Sequence, residues 1–246
     1  MKASNSGPKD ISTHGIETML DNFNGIYELL EYASCEDVKN TLYISSSEVY
    51  GSKKSIEPFS ENEYGWVDIL SPRSSYSSSK RAAETLCACF SDERGIKTTI
   101  VRPGHIYGPT ARRNDSHVSA VFSFNVADEK DLVMKSTGEQ IRSWCYCLDS
   151  TSAILTILVK GQNMNAYNIS NPSSVASIKD MAELLAKGAG VKLVMDVPDA
   201  KEKKAFNPMQ NSSLNSEKLM SLGWNGLFDA RTGFEHTVRI IKEGKL

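Results

Sequence analysis

Apolar side chains at Ile16, Met19, Leu20, Phe23, Ile26, Tyr27 and Leu30 recur at helical spacing, so an amphipathic helix is predicted over residues 16–33. A β-rich run at residues 41–45 follows and ends in serines. After a loop holding Pro58 and Pro72, a second helical stretch covers residues 74–90. The run Thr98-Thr99-Ile100-Val101 then reads as a strand closed by Arg102-Pro103-Gly104. Helix, strand, helix, strand with connections of this length is the pattern of a parallel α/β sheet.

Beyond Pro109 the rhythm loosens. Residues 131–135 and 141–147 read as strands around a turn at Ser136-Thr137-Gly138. Asp149 is placed as the N-cap of a helix reaching Val159, and residues 167–170 as a short strand. Ser177 with Asp180 resembles a capping box opening a helix to Lys187, and a last helix starts near Asp229. No repeat or low-complexity linker interrupts the chain. The expected fold class is α/β: a core sheet flanked by helices, with a smaller α/β lobe after about residue 109.

The 246 residues are long enough for a substantial core, and a net charge of −2 carries no basic excess that would suggest nucleic acid. No apolar run approaches a membrane span, and the opening residues are too polar for a signal peptide, so the expectation is a soluble, cytoplasmic protein with no membrane partner. Cys87/Cys89 and Cys145/Cys147 have C-x-C spacing with no histidine beside either pair. They are therefore read as buried, reduced thiols, Cys145 and Cys147 on one strand face, and no metal is expected.

Candidate chemistry begins with Tyr76-Ser-Ser-Ser-Lys80. A tyrosine and a lysine one helical turn apart can also be a solvated helix face. Thirty residues upstream, however, Ser45-Ser46-Ser47-Glu48-Val49-Tyr50-Gly51 sits at the end of a predicted strand, and parallel sheets bind ligands at the carboxyl ends of their strands. A phenol titrates near ~10, too high for a base at neutral pH; a lysine cation nearby favours the phenolate, and a serine hydroxyl can hold a substrate alcohol in line with it.

The ordered segments YISSSEVYG (43–51), SPRSSYSSSKRAAE (71–84) and VRPGHIYGP (101–109) resemble the signature of extended short-chain dehydrogenases/reductases, the NAD-dependent epimerase/dehydratase family acting on sugar nucleotides. Gln140-Ile-Arg142, Asp149, Tyr167-Asn-Ile and Leu222-Gly-Trp224 extend the likeness over nearly the whole chain. It implies an incomplete Rossmann-type parallel sheet over residues 1–108, carrying the catalytic residues. Residues 109–246 would form mainly a sugar-nucleotide lobe, with segments at about 142–170 returning to the core. By the resemblance Tyr76 is the catalytic base, Lys80 binds the nicotinamide ribose and tunes Tyr76, and Ser46 is the catalytic hydroxyl, with Ser45 and Ser47 as neighbouring alternatives. Glu48 occupies the family's glutamate position; a structural carboxylate beside a loop is its other reading. Cofactor contacts are expected from Tyr76, Lys80, Ser45, Pro103 and His105, and substrate contacts from Ser47, His105 and Arg142, whose guanidinium would grip a phosphate. The cofactor implied is NAD, with NADP as the alternative. The partners implied are a nucleotide-diphosphate sugar and a second copy of the chain, docked through residues 16–33 and 74–90.

The pattern Ser-Ser-Glu is closer to the Thr-Ser-Glu of UDP-glucuronate decarboxylases and GDP-mannose dehydratases than to the Thr-Asp-Glu of dTDP-glucose dehydratases, whose aspartate supplies the acid for water loss. Two positions depart from the pattern. His105 stands where relatives have asparagine, and His117 where decarboxylases carry arginine. His117 is read here as a surface residue, with Arg112 or Arg113 as a replacement cation. A strand followed by G-x-x-G-x-x-G is not found, and Lys2-Ala-Ser-Asn5 resembles the stretch after the family's fourth strand. The expectation is an N-terminally truncated enzyme of impaired activity, or else a non-catalytic module that keeps the sugar-nucleotide lobe.

Overall fold

The computed structural model describes residues 11, 13–196, 198 and 209–244; the Lys2–Asn5 resemblance lies outside them. In chain order the first half comprises α1 (Gly15–Cys35), β1 (Thr41–Ile44), α2 (Ser75–Arg94), β2 (Thr98–Pro103), β3 (His105–Tyr107) and α3 (Val118–Ala127). Then come β4 (Leu132–Met134), β5 (Ile141–Tyr146), α4 (Cys147–Lys160), β6 (Asn165–Ile169), β7 (Val175–Ser177) and α5 (Ile178–Ala189). The chain closes with β8 (Leu193–Met195), β9 (Asn211–Ser212), α6 (Glu217–Met220) and α7 (Ala230–Glu243).

The core sheet is parallel, in the order β1-β2-β6, with Ile44 beside Val101 and Val101 beside Tyr167. Helices α1 and α2 cover one face, where Ile26, Leu30, Ala83, Cys87 and Phe90 pack on Tyr43 and Ile100. On the other, Ala153 and Ile157 of α4 pack against Val101, Tyr167 and Ile169, backed by Trp224. A sheet covered on both faces buries both sides of its central strand, and β2 is accordingly buried without alternation from Thr98 to Arg102. At Gly104 the chain passes from this sheet into a second one, β3-β5-β7 with β9 on β5. A side chain at Gly104 would put its Cβ 2.5 Å from the Ser143 carbonyl oxygen, so the crossing requires glycine. Phe122, Leu185 and Phe234, from α3, α5 and α7, close a separate core over the second sheet.

The major periodic elements form where expected, and three details differ. The apolar stripe of the first helix divides: Ile26 and Leu30 turn inward, whereas Ile16, Met19, Leu20, Phe23 and Tyr27 remain exposed. Thr18 and Asn22 take the inward positions instead, and the Asn22 amide donates to Ser79 Oγ at 3.0 Å across the helix pair. Strands β4 and β5 do not form a pair about residues 136–138, because β4 pairs with β8 and β5 with β3, β7 and β9. Asp149 is inside the first turn of α4, not its N-cap. Its buried carboxylate accepts the N–H groups of Leu227, at 2.9 Å, and Phe228, at 3.0 Å, tying that helix start to the C-terminal segment. Ser177 and Asp180 do form the reciprocal capping box, and Asp229 caps α7.

The cysteines are free, but only Cys87 and Cys145 are buried; Cys35 and Cys89 are exposed, and Cys147 opens α4 instead of sharing a strand face with Cys145. Among the described residues no helix is long and apolar enough to cross a membrane.

Arg102, 3% exposed in its side chain, is held by Glu84 through two hydrogen bonds of 2.9 and 2.6 Å. Its remaining donors reach Tyr50 Oη, the Glu61 carbonyl and Tyr64 Oη at 2.8–3.0 Å. Removing one partner of a buried pair strands the other charge, at a cost of about 3–5 kcal/mol. Glu84→Gln is therefore expected to lower unfolding stability in urea by roughly 3 kcal/mol. The exposed Arg231–Glu235 pair is the control, and Glu235→Gln should leave stability nearly unchanged.

Candidate active site

Strand β1 delivers three serines to the carboxyl edge of the core sheet. The Ser45 N–H still pairs with the Val101 carbonyl at 2.8 Å, so the ladder holds Ser45 in place. Ser46 then ends the strand, its hydroxyl accepting the Glu48 N–H at 3.2 Å and capping a single 3-10 turn, Ser47–Tyr50. Gly51 closes that turn at φ +71°, where a Cβ would fall 2.5 Å from the Trp66 carbonyl oxygen. The turn is fastened from two sides. Arg81 of α2 donates to the Val49 and Tyr50 carbonyls at 2.6 and 3.0 Å, and Tyr50 Oη donates to Asn168 at 2.5 Å.

Helix α2 carries Tyr76 and Lys80 against this turn. Tyr76 is buried beside Ser46, and the hydroxyl–hydroxyl hydrogen bond acts to lower the pKa of the phenol. Burial outweighs it, and with the Glu48 charge it pushes Tyr76 up to about 12; Arg73 opposes that shift more weakly. Lys80 is not among the groups lowering Tyr76, in contrast to the sequence expectation. Its Nζ donates to the Ile44 carbonyl at 2.9 Å and lies 5.8 Å from the centre of the Tyr76 ring, with burial holding the amine down to about 8. Glu48 is gripped end-on by Arg73, Nη1 and Nη2 donating to its two oxygens at 3.0 and 2.9 Å. Arg73 is a functional candidate that the sequence reading passed over. Its only signal was a cation three residues before the tyrosine, at the mouth of a proline-led turn.

These groups face a cavity of about 1280 Å³ between the core sheet and the second sheet. Its wall includes all the predicted site residues: Ser45, Ser46, Ser47, Glu48, Tyr76, Lys80, Pro103, His105 and Arg142. Arg142, in β5, is 3% exposed, and its one hydrogen bond among the described residues runs to the neighbouring Ile141 carbonyl at 2.9 Å. Burial lowers the guanidinium to about 10. The Ser45 hydroxyl and His105 Nδ1 are buried without a protein partner, so the wall presents unspent polar atoms to whatever enters. His117 departs from its expected surface role: it lines the cavity beside Asp115. Neither Arg112 nor Arg113 does, and Arg113 is spent on Asp128 at 2.9 Å.

Burial, Arg142 and His117 together hold His105 down from 6.5 to about 3, so it stays neutral in the folded protein while its unfolded counterpart protonates. Between those values the unfolded chain binds more protons, and stability is lost as pH falls below about 6.5. His105→Asn should flatten that acid limb, removing a slope of at most about 1.4 kcal/mol per pH unit from urea unfolding midpoints.

Against known proteins, a profile of the NAD dependent epimerase/dehydratase family matches residues 1–170. UDP-glucuronic acid decarboxylase 1 of Xenopus tropicalis is 25% identical over 244 residues, 98% of this chain and 56% of that protein. UDP-glucuronic acid decarboxylase 3 of Arabidopsis thaliana is 29% identical over 221 residues, 89% of this chain and 62% of that protein. The chain thus spans less than two-thirds of the length of either. Among solved structures, UDP-glucose 4-epimerase of Thermotoga maritima, crystallised with UDP-glucose, superposes with a TM-score of 0.86 at 23% identity. That superposition covers 100% of this chain and 77% of the epimerase, and it establishes the shared Rossmann-type α/β fold. With the family profile covering well over half of its residues, the chain belongs to the NAD dependent epimerase/dehydratase family.

Proposed function

We propose that this protein acts on a nucleotide-diphosphate sugar through transient oxidation of the sugar at C4, with Tyr76 as proton acceptor. The observation that carries this reading is the meeting of the Tyr76 and Ser46 hydroxyls, beside the Lys80 amine and the Glu48–Arg73 pair, on one cavity wall. Ser46 holds the sugar hydroxyl toward Tyr76, which takes its proton. Because burial raises the phenol, its ionisation depends on positive charge close by, and Arg73 is the cation that acts to lower it. Arg142 grips the diphosphate through the guanidinium donors it does not spend on Ile141.

A nicotinamide dinucleotide, when bound, supplies the hydride acceptor. Lys80, Ser45, Pro103 and His105 would hold it, and the unpartnered Ser45 Oγ and His105 Nδ1 fit a ligand rich in hydroxyl and amide groups. NAD is the cofactor proposed, since family members crystallise with it, as in dTDP-glucose 4,6-dehydratase of Bacillus anthracis. On this reading residues 1–108 form the cofactor side and 109–246 mainly the sugar-nucleotide side, with β6 returning to the core sheet. Ser46-Ser47-Glu48 has no acid beside the glutamate, which favours decarboxylation or epimerisation over loss of water. A second reading, a module that binds sugar nucleotide without turnover, is favoured by the burial that raises Tyr76 to about 12 while Lys80 is turned to the Ile44 carbonyl.

Incubation with NAD⁺ and UDP-glucuronate, dTDP-glucose or UDP-glucose, followed by product masses, separates these outcomes. Loss of CO₂ or an epimer is expected; loss of water alone reverses the preference, and absence of any product with retained sugar-nucleotide binding supports the second reading. Tyr76→Phe should cut turnover by about 10²–10⁴-fold while leaving sugar-nucleotide affinity nearly unchanged. Turnover within about threefold of the parent would remove Tyr76 from the role of base.

The exposed Ile16, Met19, Leu20, Phe23 and Tyr27 side chains of α1 support a homodimer through α1 and α2. Light scattering at tens of micromolar should report twice the monomer mass, and Leu20→Glu should return it to monomer.

A further inference from the structure

The segment entering α3 folds back on Asp115. Its Oδ1 accepts the backbone N–H of His117 at 2.8 Å and bonds His117 Nδ1 at 2.6 Å. An ionised carboxylate can only accept, so Nδ1 carries the hydrogen. The tautomer of the neutral ring then leaves Nε2 with a lone pair and no proton. A neutral His117 therefore presents an acceptor, which repels an anionic oxygen, and only the imidazolium presents a donor. The side chain is 38% exposed and lines the cavity together with Asp115.

The surroundings suit an anion. Val118, Ser119 and Ala120, whose N–H groups begin α3 and have no partner one turn earlier in the helix, line the same cavity, and His117 provides no side-chain cap for them. Arg142, buried and among the described residues bonded only to Ile141, lines it as well. Of the other charged groups, His105 stays neutral, Glu48 is bound to Arg73, and Lys135 is paired with Asp196. On the helices packed on α3, Lys179 pairs with Glu183, Asp180 with Ser177, Arg231 with Glu235 and Lys242 with Glu129, and the same two helices also carry Lys187 and Arg239. His236, also on α7, is bonded to Tyr146.

We propose that His117, oriented by Asp115, is a protonation-dependent ligand for the diphosphate of the sugar nucleotide, so that substrate binds with uptake of a proton. This rests on the sugar-nucleotide reading and adds regulation to it: affinity is full where His117 is protonated and falls as pH rises through its titration. A permanently charged residue there would give no such dependence.

UDP-glucose is a suitable probe, because its diphosphate diester keeps the same charge across the range in which imidazoles titrate. By calorimetry the dissociation constant should rise at least about tenfold from pH 5.5 to 8.5, and buffers of different ionisation enthalpy should report uptake of about one proton within that range. His117→Arg should bind as tightly as the parent at low pH, with no proton uptake. His117→Asn should bind weakly and evenly at every pH. Asp115→Asn, which removes the carboxylate favouring the imidazolium, should move the falling limb to lower pH. Lys80, held near 8, is unchanged in all three variants, so any dependence remaining in His117→Arg belongs to it. A flat profile in the parent, or the parent's profile kept in both His117 variants, overturns the assignment while leaving the sugar-nucleotide reading intact. Failure of UDP-glucose, dTDP-glucose and GDP-mannose to bind at any of these pH values overturns that reading, and this one with it.

Discussion

A buried guanidinium is costly in proportion to the donors left unmet, and Arg102 has all five met. Its partners come from parts of the chain that would otherwise have no reason to meet. Glu84 belongs to α2, Tyr50 to the turn after β1, and Glu61 and Tyr64 to the long loop that follows. Tyr50 passes the constraint on through Asn168 in β6, whose amide reaches the Phe59 and Asn215 carbonyls at 2.9 Å each. Because no member can move without stranding a buried polar atom, the network sets the height of α2 along the sheet and the depth of the serine turn together. The Tyr76–Ser46 contact depends on both.

The same low-dielectric setting governs the candidate chemistry. Burial raises Tyr76 to about 12 and lowers Lys80 to about 8, which separates two groups whose proton affinities in water are nearly equal and favours the neutral form of both. Glu48 raises the phenol further, and its pairing with Arg73 keeps that carboxylate from acting as an uncompensated charge at the catalytic edge. Arg73 is thus part of the electrostatic balance of the tyrosine. Toward β5 and α3 the wall changes character. Arg142 and the start of α3 offer donors there, and the Asp115 carboxylate beside them is turned onto His117. The cavity therefore has an edge of hydroxyl, amine and carboxylate groups and an edge rich in donors, supplied by different sheets.

Much of this was legible in the residues themselves. Helices α1, α2, α5 and α7 and strands β1, β2 and β6 announce themselves by periodicity, caps or short β-branched runs. Tyr76, Lys80 and the serine–glutamate turn could be nominated because their spacing places one turn of helix beside one strand end. What stayed hidden has identifiable causes. Strands β3, β7, β8 and β9 are two or three residues long, too short for any period, and α3 is apolar nearly all round and so shows no amphipathic stripe. The exposed stripe of α1 could not be assigned to the inside or the outside, because periodicity identifies a face without saying what it packs against.

The sequence by itself determined the α/β class, the order of the main elements, and the identity of the groups able to transfer a proton, since these follow from local spacing and side-chain chemistry. Tertiary structure alone decided the electrostatics. Asp149 became a clamp on a distant loop, Glu48 was claimed by Arg73, and Lys80 was turned to the Ile44 carbonyl instead of the Tyr76 hydroxyl. His117 was turned onto the cavity wall, whereas Arg113, four residues away, was drawn to Asp128. A side chain's charge state and partners depend on distances in space and on exclusion of water. Neither is encoded in the order of residues until segments as far apart as Tyr50 and Asn168 have been brought into contact.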